Sequence, residues 1–113
     1  MSQIQLEPEE EIIKRLRKPI DELIEEYGIN LDDFQRLRLR QLAWQAVDIL
    51  VKTGDIAYLR HEENIQRIIN DIRNLGASEE FIEKSLTLAI SIYKKMKVYY
   101  PSLLNKYGGG QRG

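Results

Sequence analysis

The sequence predicts an all-α fold, an antiparallel bundle of four main helices within one domain over residues 1–107. A short fifth helix is expected near the end of that domain, and residues 108–113 read as a flexible Gly-rich tail. Three observations point this way. Apolar residues recur at i, i+3/i+4 spacing in four separate runs, and no strand-like alternation lasts four residues between turn signals. Each run is parted from the next by little more than a glycine and a capping residue, which favours antiparallel neighbours. The chain has 113 residues, of which 42% are hydrophobic and 31% charged, a balance that suits one soluble globular domain and not a disordered segment.

The first helix follows the acidic start Glu7, Glu9, Glu10 and Glu11, which suits the positive end of a helix dipole. Its stripe is Ile12, Ile13, Leu16, Ile20, Leu23, Ile24 and Tyr27. Pro19 lies inside the stripe without changing its phase, so a kink is favoured over a restart. Gly28 is expected as a left-handed C-cap. For the second helix Asn30 is the expected cap, with Asp33 three residues on and Ile29 stapled to Phe34. That helix should run to Thr53 and stop at Gly54. It is apolar almost all round from Leu42 to Val51, as befits the middle of a bundle.

Asp55 can cap a third helix with the stripe Ile65, Ile68, Ile69, Ile72 and Leu75, stopped at Gly76. Ser78 caps a fourth, with Glu79 and Glu80 in its first turn and Ile82, Leu86, Ala89, Tyr93 and Met96 as its stripe. Pro101 ends it near Tyr99 and leaves residues 101–107 for the short fifth helix. Trp44, Val47, Leu50, Ile68, Ile72, Leu86, Ala89 and Tyr93 are the expected core.

Charge is divided along the chain. All eighteen Asp and Glu lie in residues 1–83, beside eleven Lys and Arg. After Glu83 come Lys84, Lys94, Lys95, Lys97, Lys106 and Arg112 and no acid, so the overall net charge of −1 hides a dipolar split. Tyrosines are interleaved with those lysines. Cations meet phosphates and flat rings stack on bases, so the pattern suits a polyanion. Lys94, Lys95, Lys97, Tyr99, Tyr100 and Arg112 are the candidate nucleic-acid-binding residues. The plain alternative is a solvated face with lysines favoured near a helix C-terminus. No dedicated nucleic-acid motif is present.

A second candidate is the polar stripe Arg38, Gln41, Gln45, Asp48 and Lys52, the one polar edge on an otherwise apolar helix end. It could line a cleft or hold an anion, or simply face solvent. Arg36 and Arg40 are i, i+4 neighbours, whereas Arg38 diverges from both.

Several chemistries have no residues to carry them. There is no cysteine, so thiol chemistry, disulfides and Cys-ligated zinc are excluded. His61 is the only histidine, and its acidic neighbours Glu62 and Glu63 do not face it on a helix, so no metal or other cofactor is expected. No glycine-rich loop opens a helix, and serines 78, 85, 91 and 102 have no nearby histidine to activate them. Met1 to Glu11 lacks the features of a signal peptide, and no apolar run approaches the ~20 residues needed to span a bilayer. A cytoplasmic, non-membrane protein is expected. The Ile, Leu, Glu, Lys and Arg bias suggests a thermophilic source, although the same residues are good helix formers.

One run is slightly similar to an enzyme family. Leu16 to Asp21, then Lys52, then Arg60 and Glu63 resemble positions of the helical chorismate mutases, which hold a dicarboxylate between Arg and Lys side chains. That family has a long uninterrupted first helix and a Gln or Glu near the end of its last one. Here Pro19, Gly28 and Asn30 interrupt the first, and the Lys94–Lys95 region replaces the second. Membership is not assigned.

The leading expectation is therefore a non-enzymatic helical module that binds nucleic acid or joins a nucleoprotein complex. The alternative is a protein–protein adaptor or structural subunit. Its acidic and basic ends would allow self-association, and its basic end could dock on an acidic protein surface. A small helical metabolic enzyme comes third.

Overall fold

A computed structural model describes residues 8–107. Glu7, Arg112 and the expected tail over 108–113 lie outside the described residues. The elements are α1 (Glu9–Tyr27), α2 (Asp33–Thr53), a single 3-10 turn (Leu59–His61), α3 (Glu63–Asn74), α4 (Glu79–Tyr99) and α5 (Pro101–Tyr107). No strand occurs among the described residues, and the helices pack as a bundle measuring 50 × 28 × 18 Å.

α1 runs through Pro19 without restarting, and Leu16, Ile20, Leu23 and Ile24 are buried on its inner face. Gly28 ends it with φ −103°, so the expected left-handed cap is corrected. Glycine is needed there for a different reason. A Cβ at position 28 would lie 2.7 Å from the Ile24 carbonyl oxygen. The next expectation is corrected too. The α2 cap is Asp32, not Asn30. Its carboxylate accepts from the Gln35 amide at 2.8 Å, while Gln35 Oε1 accepts from the Asp32 amide at 2.9 Å. This reciprocal box fills two orphan sites at once. Gln35 also donates from Nε2 to the Leu75 carbonyl at 3.0 Å, tying the start of α2 to the end of α3. Asp32→Ala should cost about 1 kcal/mol of stability, measured by chemical denaturation. No Ile29–Phe34 staple forms, because both side chains are exposed, at 76% and 71%.

Gly54, with φ 68°, closes α2 as a left-handed cap, and Gly76, with φ 100°, makes the turn before α4. Asp55 does not cap α3. It accepts from the Tyr58 amide ahead of the 3-10 turn, and Glu62 caps α3 by accepting from Ile65. The chain needs that extra turn to reverse direction and bury Leu59. Ser78 caps α4 through the Phe81 amide at 3.1 Å.

Helix directions follow from the cross-links. Arg40 on α2 pairs with Asp21 on α1, and the hydroxyl of Tyr27, the last residue of α1, donates to Glu80 in the first turn of α4. At the other end of α1, Arg15 donates to the Tyr100 hydroxyl. α1 is therefore antiparallel to both α2 and α4. The α1 N-terminus, the α2 and α4 C-termini and α5 share one end of the rod. The α1–α2 corner lies at the other end.

Of the expected core, Val47, Leu50, Ile68, Ile72, Leu86, Ala89 and Tyr93 are buried. Trp44 is only partly buried and packs on the edge of the core. Its ring carries the Arg17 guanidinium, 5.9 Å from the centroid, a placement that needs one face open. The lone buried polar side chain among the described residues, Ser85, donates to the Ile82 carbonyl at 2.9 Å.

Candidate nucleic-acid interface

The acid-free part of the chain separates into three surroundings. Lys84 stands near the start of α4, in a shallow groove with Glu22, Glu26 and Glu83. Lys106 on α5 pairs with Glu9 at 2.8 Å. Lys94, Lys95 and Lys97 sit on the last turns of α4, all exposed. Tyr93 and Met96 turn inward on the same turns, at 5% and 1% exposure.

At about 100° per residue, Lys94, Val98 and Lys95 fill the middle of the outer arc, with Lys97 and Tyr99 at its two edges. The result is a convex ridge. Val98 and Tyr99 are each 69% exposed. Among the described residues no carboxylate pairs with the three lysines. Lys97 lies over the Tyr93 ring, 5.6 Å from its centroid. Their position in the last turns also sets positive charge against the negative end of the helix dipole.

Tyr100 is placed differently from Tyr99. It caps α4, and its amide donates to the Met96 carbonyl at 2.9 Å. Its ring is half-buried and its hydroxyl accepts from Arg15 at 3.1 Å. The two rings stand 6.5 Å apart, tilted by 59°. Tyr99 is thus the open ring of the pair and Tyr100 the anchored one.

The polar stripe of α2 splits in two. Arg38 donates to Gln41 at 3.2 Å, and Gln41 and Gln45 face solvent. Asp48 and Lys52 instead line a cavity of about 400 Å³ with Ile13, Trp44, Val47, Val51 and Met96. Burial pushes the Asp48 carboxyl above the usual carboxylate range, and Lys52 partly offsets this. A raised folded-state value means that the folded protein holds this proton more tightly than the unfolded chain does. The Asp48 contribution to stability is therefore most favourable at low pH and is lost as pH rises from the ordinary carboxylate range through the raised value. Asp48→Asn should remove that pH dependence and stabilise the protein at neutral pH, as thermal melts at several pH values will show.

The α2 arginines are at the wrong end of the rod to join the lysines. Arg36 pairs with Asp33 at 2.8 Å and donates to the Gly28 carbonyl at 3.2 Å. Arg40 holds Asp21 through two bonds, of 2.8 and 3.2 Å. Lys52 does lie at the lysine end, since Met96 lines the same cavity.

His61 is exposed in the 3-10 turn, its ring 5.7 Å from that of Tyr58. No group of three His, Asp or Glu side chains among the described residues could hold a metal ion. No helix among them is long and apolar enough to cross a membrane. Of the positions with a chorismate mutase likeness, Arg17 lies over Trp44, Lys52 lines the cavity and Arg60 grips Glu83 through two bonds, of 3.0 and 2.5 Å. One feature escaped the sequence reading. Ile29, Phe34 and Leu37, the first two assigned to a staple, are each exposed at the α1–α2 corner. Nothing in the apolar pattern marks them, because an exposed and a stapled pair have the same spacing.

Comparison with known protein families, with characterised proteins and with solved structures finds no match.

Proposed function

We propose that this chain is a non-enzymatic helical module that binds nucleic acid through the ridge at the end of α4. The observation that carries the reading is the exposure of Lys94, Lys95 and Lys97, unpaired with any carboxylate among the described residues, next to an open Tyr99. The lysines neutralise phosphates. Tyr99 stacks on a base, a contact worth about 1–3 kcal/mol where it has been tested by alanine substitution. A convex ridge with one open ring suits a single strand, whose bases are free to stack. Tyr100 supports the ridge by anchoring α4 to Arg15. Arg112 follows in sequence and adds a further cation. A module of this kind works where nucleic acid is found, so the reading carries a cytoplasmic location with it.

Amide chemical-shift mapping with a short single-stranded oligonucleotide tests the reading. The largest shifts are expected from Lys94 to Tyr100. Shifts confined to other surfaces, or none, would reject it. One observation favours a second reading, that of an adaptor or structural subunit: the apolar corner at the opposite end of the rod.

A further inference from the structure

Ile29, Phe34 and Leu37 are the exposed large apolar residues of the α1–α2 corner. Arg36 donates to the Gly28 carbonyl, and its side chain lies against Gly28, which brings the neighbouring Ile29 beside the first turns of α2. Phe34 and Leu37 are i, i+3 neighbours there. Their exposures of 76%, 71% and 49% leave roughly 400 Å² of surface open in all, at about 200 Å² for each large apolar residue. Isolated exposed apolar residues are ordinary, but three within nine residues at one corner suit an interaction site. None of the three belongs to the core or to the residues packed against it.

Beside Leu37 runs a groove of about 360 Å³, lined by Asp21, Ile24, Glu25, Arg36, Leu37 and Arg40. Phe34, one turn before Leu37 on α2, stands exposed at the edge of that hollow, whose rim has both signs of charge. We propose that this corner is a two-fold interface between two copies of the chain, with Phe34 of each copy seated in the groove beside Leu37 of the other. A two-fold contact requires a surface that complements itself, and apolar knob, hollow, carboxylates and guanidiniums are all present here. The charge pattern suits this occupant and disfavours a polyanion. A polyanion would meet Glu25, Glu26, Asp32 and Asp33, whereas a second copy sets Glu25 against Arg36 and Arg40. Those arginines keep spare donors beyond their internal pairs, since each guanidinium has five N–H groups.

The three apolar residues supply about half of the ~800 Å² per partner found in standard interfaces, and the charged rim supplies the rest. The dimer is accordingly reversible and concentration-dependent. The lysine ridge lies at the far end of each copy and remains free. The inference is independent of what that ridge binds.

Light scattering on the size-fractionated chain, over a wide concentration range, should show a monomer–dimer equilibrium that stops at the dimer. Phe34→Asp, with helix content checked by circular dichroism, should weaken dimerisation by at least about tenfold, as loss of a central apolar anchor does. Lys94→Ala/Lys95→Ala/Lys97→Ala should leave it unchanged. Because the chain has no cysteine, mild oxidation of a mixture of Phe34→Cys and Leu37→Cys chains gives a second readout, a covalent heterodimer that Lys95→Cys chains do not form. A wild-type chain that stays monomeric at every concentration would overturn the proposal. So would growth beyond the dimer, or loss of association in the lysine variant while Phe34→Asp still associates, which would mean a head-to-tail contact.

Discussion

Phe81→Ala should lower the free energy of unfolding by about 3–5 kcal/mol, the cost of emptying a fully buried aromatic site. Phe81 is 0% exposed in the third residue of α4. Its ring meets that of Tyr27 at 6.3 Å with a 60° tilt, where the end of α1 crosses the start of α4. The surrounding backbone has little freedom to collapse into the void. The Phe81 amide is held by the Ser78 cap, and Tyr27 is held to Glu80 at 2.9 Å. A small domain has only about 5–15 kcal/mol of stability in total, so the variant loses a large share of it. Urea denaturation reads the result as a lower midpoint with an unchanged slope. A midpoint close to that of the wild type would mean that α1 and α4 do not pack through this ring.

The second large effect is on binding. Replacing Lys94, Lys95 and Lys97 together by alanine should reduce affinity for a single-stranded oligonucleotide at low salt by at least roughly tenfold, and lower the log–log salt slope by about 2, at ~0.7 per phosphate contact on a single strand. All three are exposed and make no ion pair among the described residues, so the stability cost should stay at about 1–2 kcal/mol, from the Lys97–Tyr93 contact and the helix-dipole interaction. That separation of binding from folding makes the variant informative. Tyr99→Ala should weaken binding while leaving the salt slope almost unchanged, because stacking releases no counterions. Fluorescence anisotropy measures both variants.

The bundle was legible because period and punctuation agree. Gly54, Gly76 and Ser78 sit where the helices stop and start, and Ile82, Leu86, Ala89, Tyr93 and Met96 are all buried as their spacing requires. The caps of α2 and α3 were not legible, for a local reason. Asn30 and Asp32 are both good caps, and the choice falls to Asp32 because Gln35 completes a box and reaches Leu75, the C-cap of α3, forty residues away. In the same way Asp55 is spent on the turn before Leu59, and Glu62 is left to cap α3. Trp44 shows a limit of composition. A large ring in an apolar run reads as core, yet here one face takes Arg17.

The candidate site was legible in sequence position and not in surface shape. The run from Lys94 to Tyr100 contains the ridge, but only the fold tells Tyr99, open to solvent, from Tyr100, held by Arg15. Lys84 and Lys106 belong to the same acid-free stretch, yet folding sets each beside carboxylates that come from α1, or from α1 and α4. The approach of Glu22 and Glu26 to Lys84, and the Lys106–Glu9 pair, leave no trace in local charge patterning.

The central claim is that an exposed lysine ridge with an open tyrosine binds nucleic acid, and affinity of the wild-type chain for a single-stranded oligonucleotide at two salt concentrations tests it most directly. Three lysine contacts, and a fourth from Arg112, predict binding that weakens with a log–log slope of about 2–3. No binding at low salt, or an affinity that salt leaves unchanged, would contradict it.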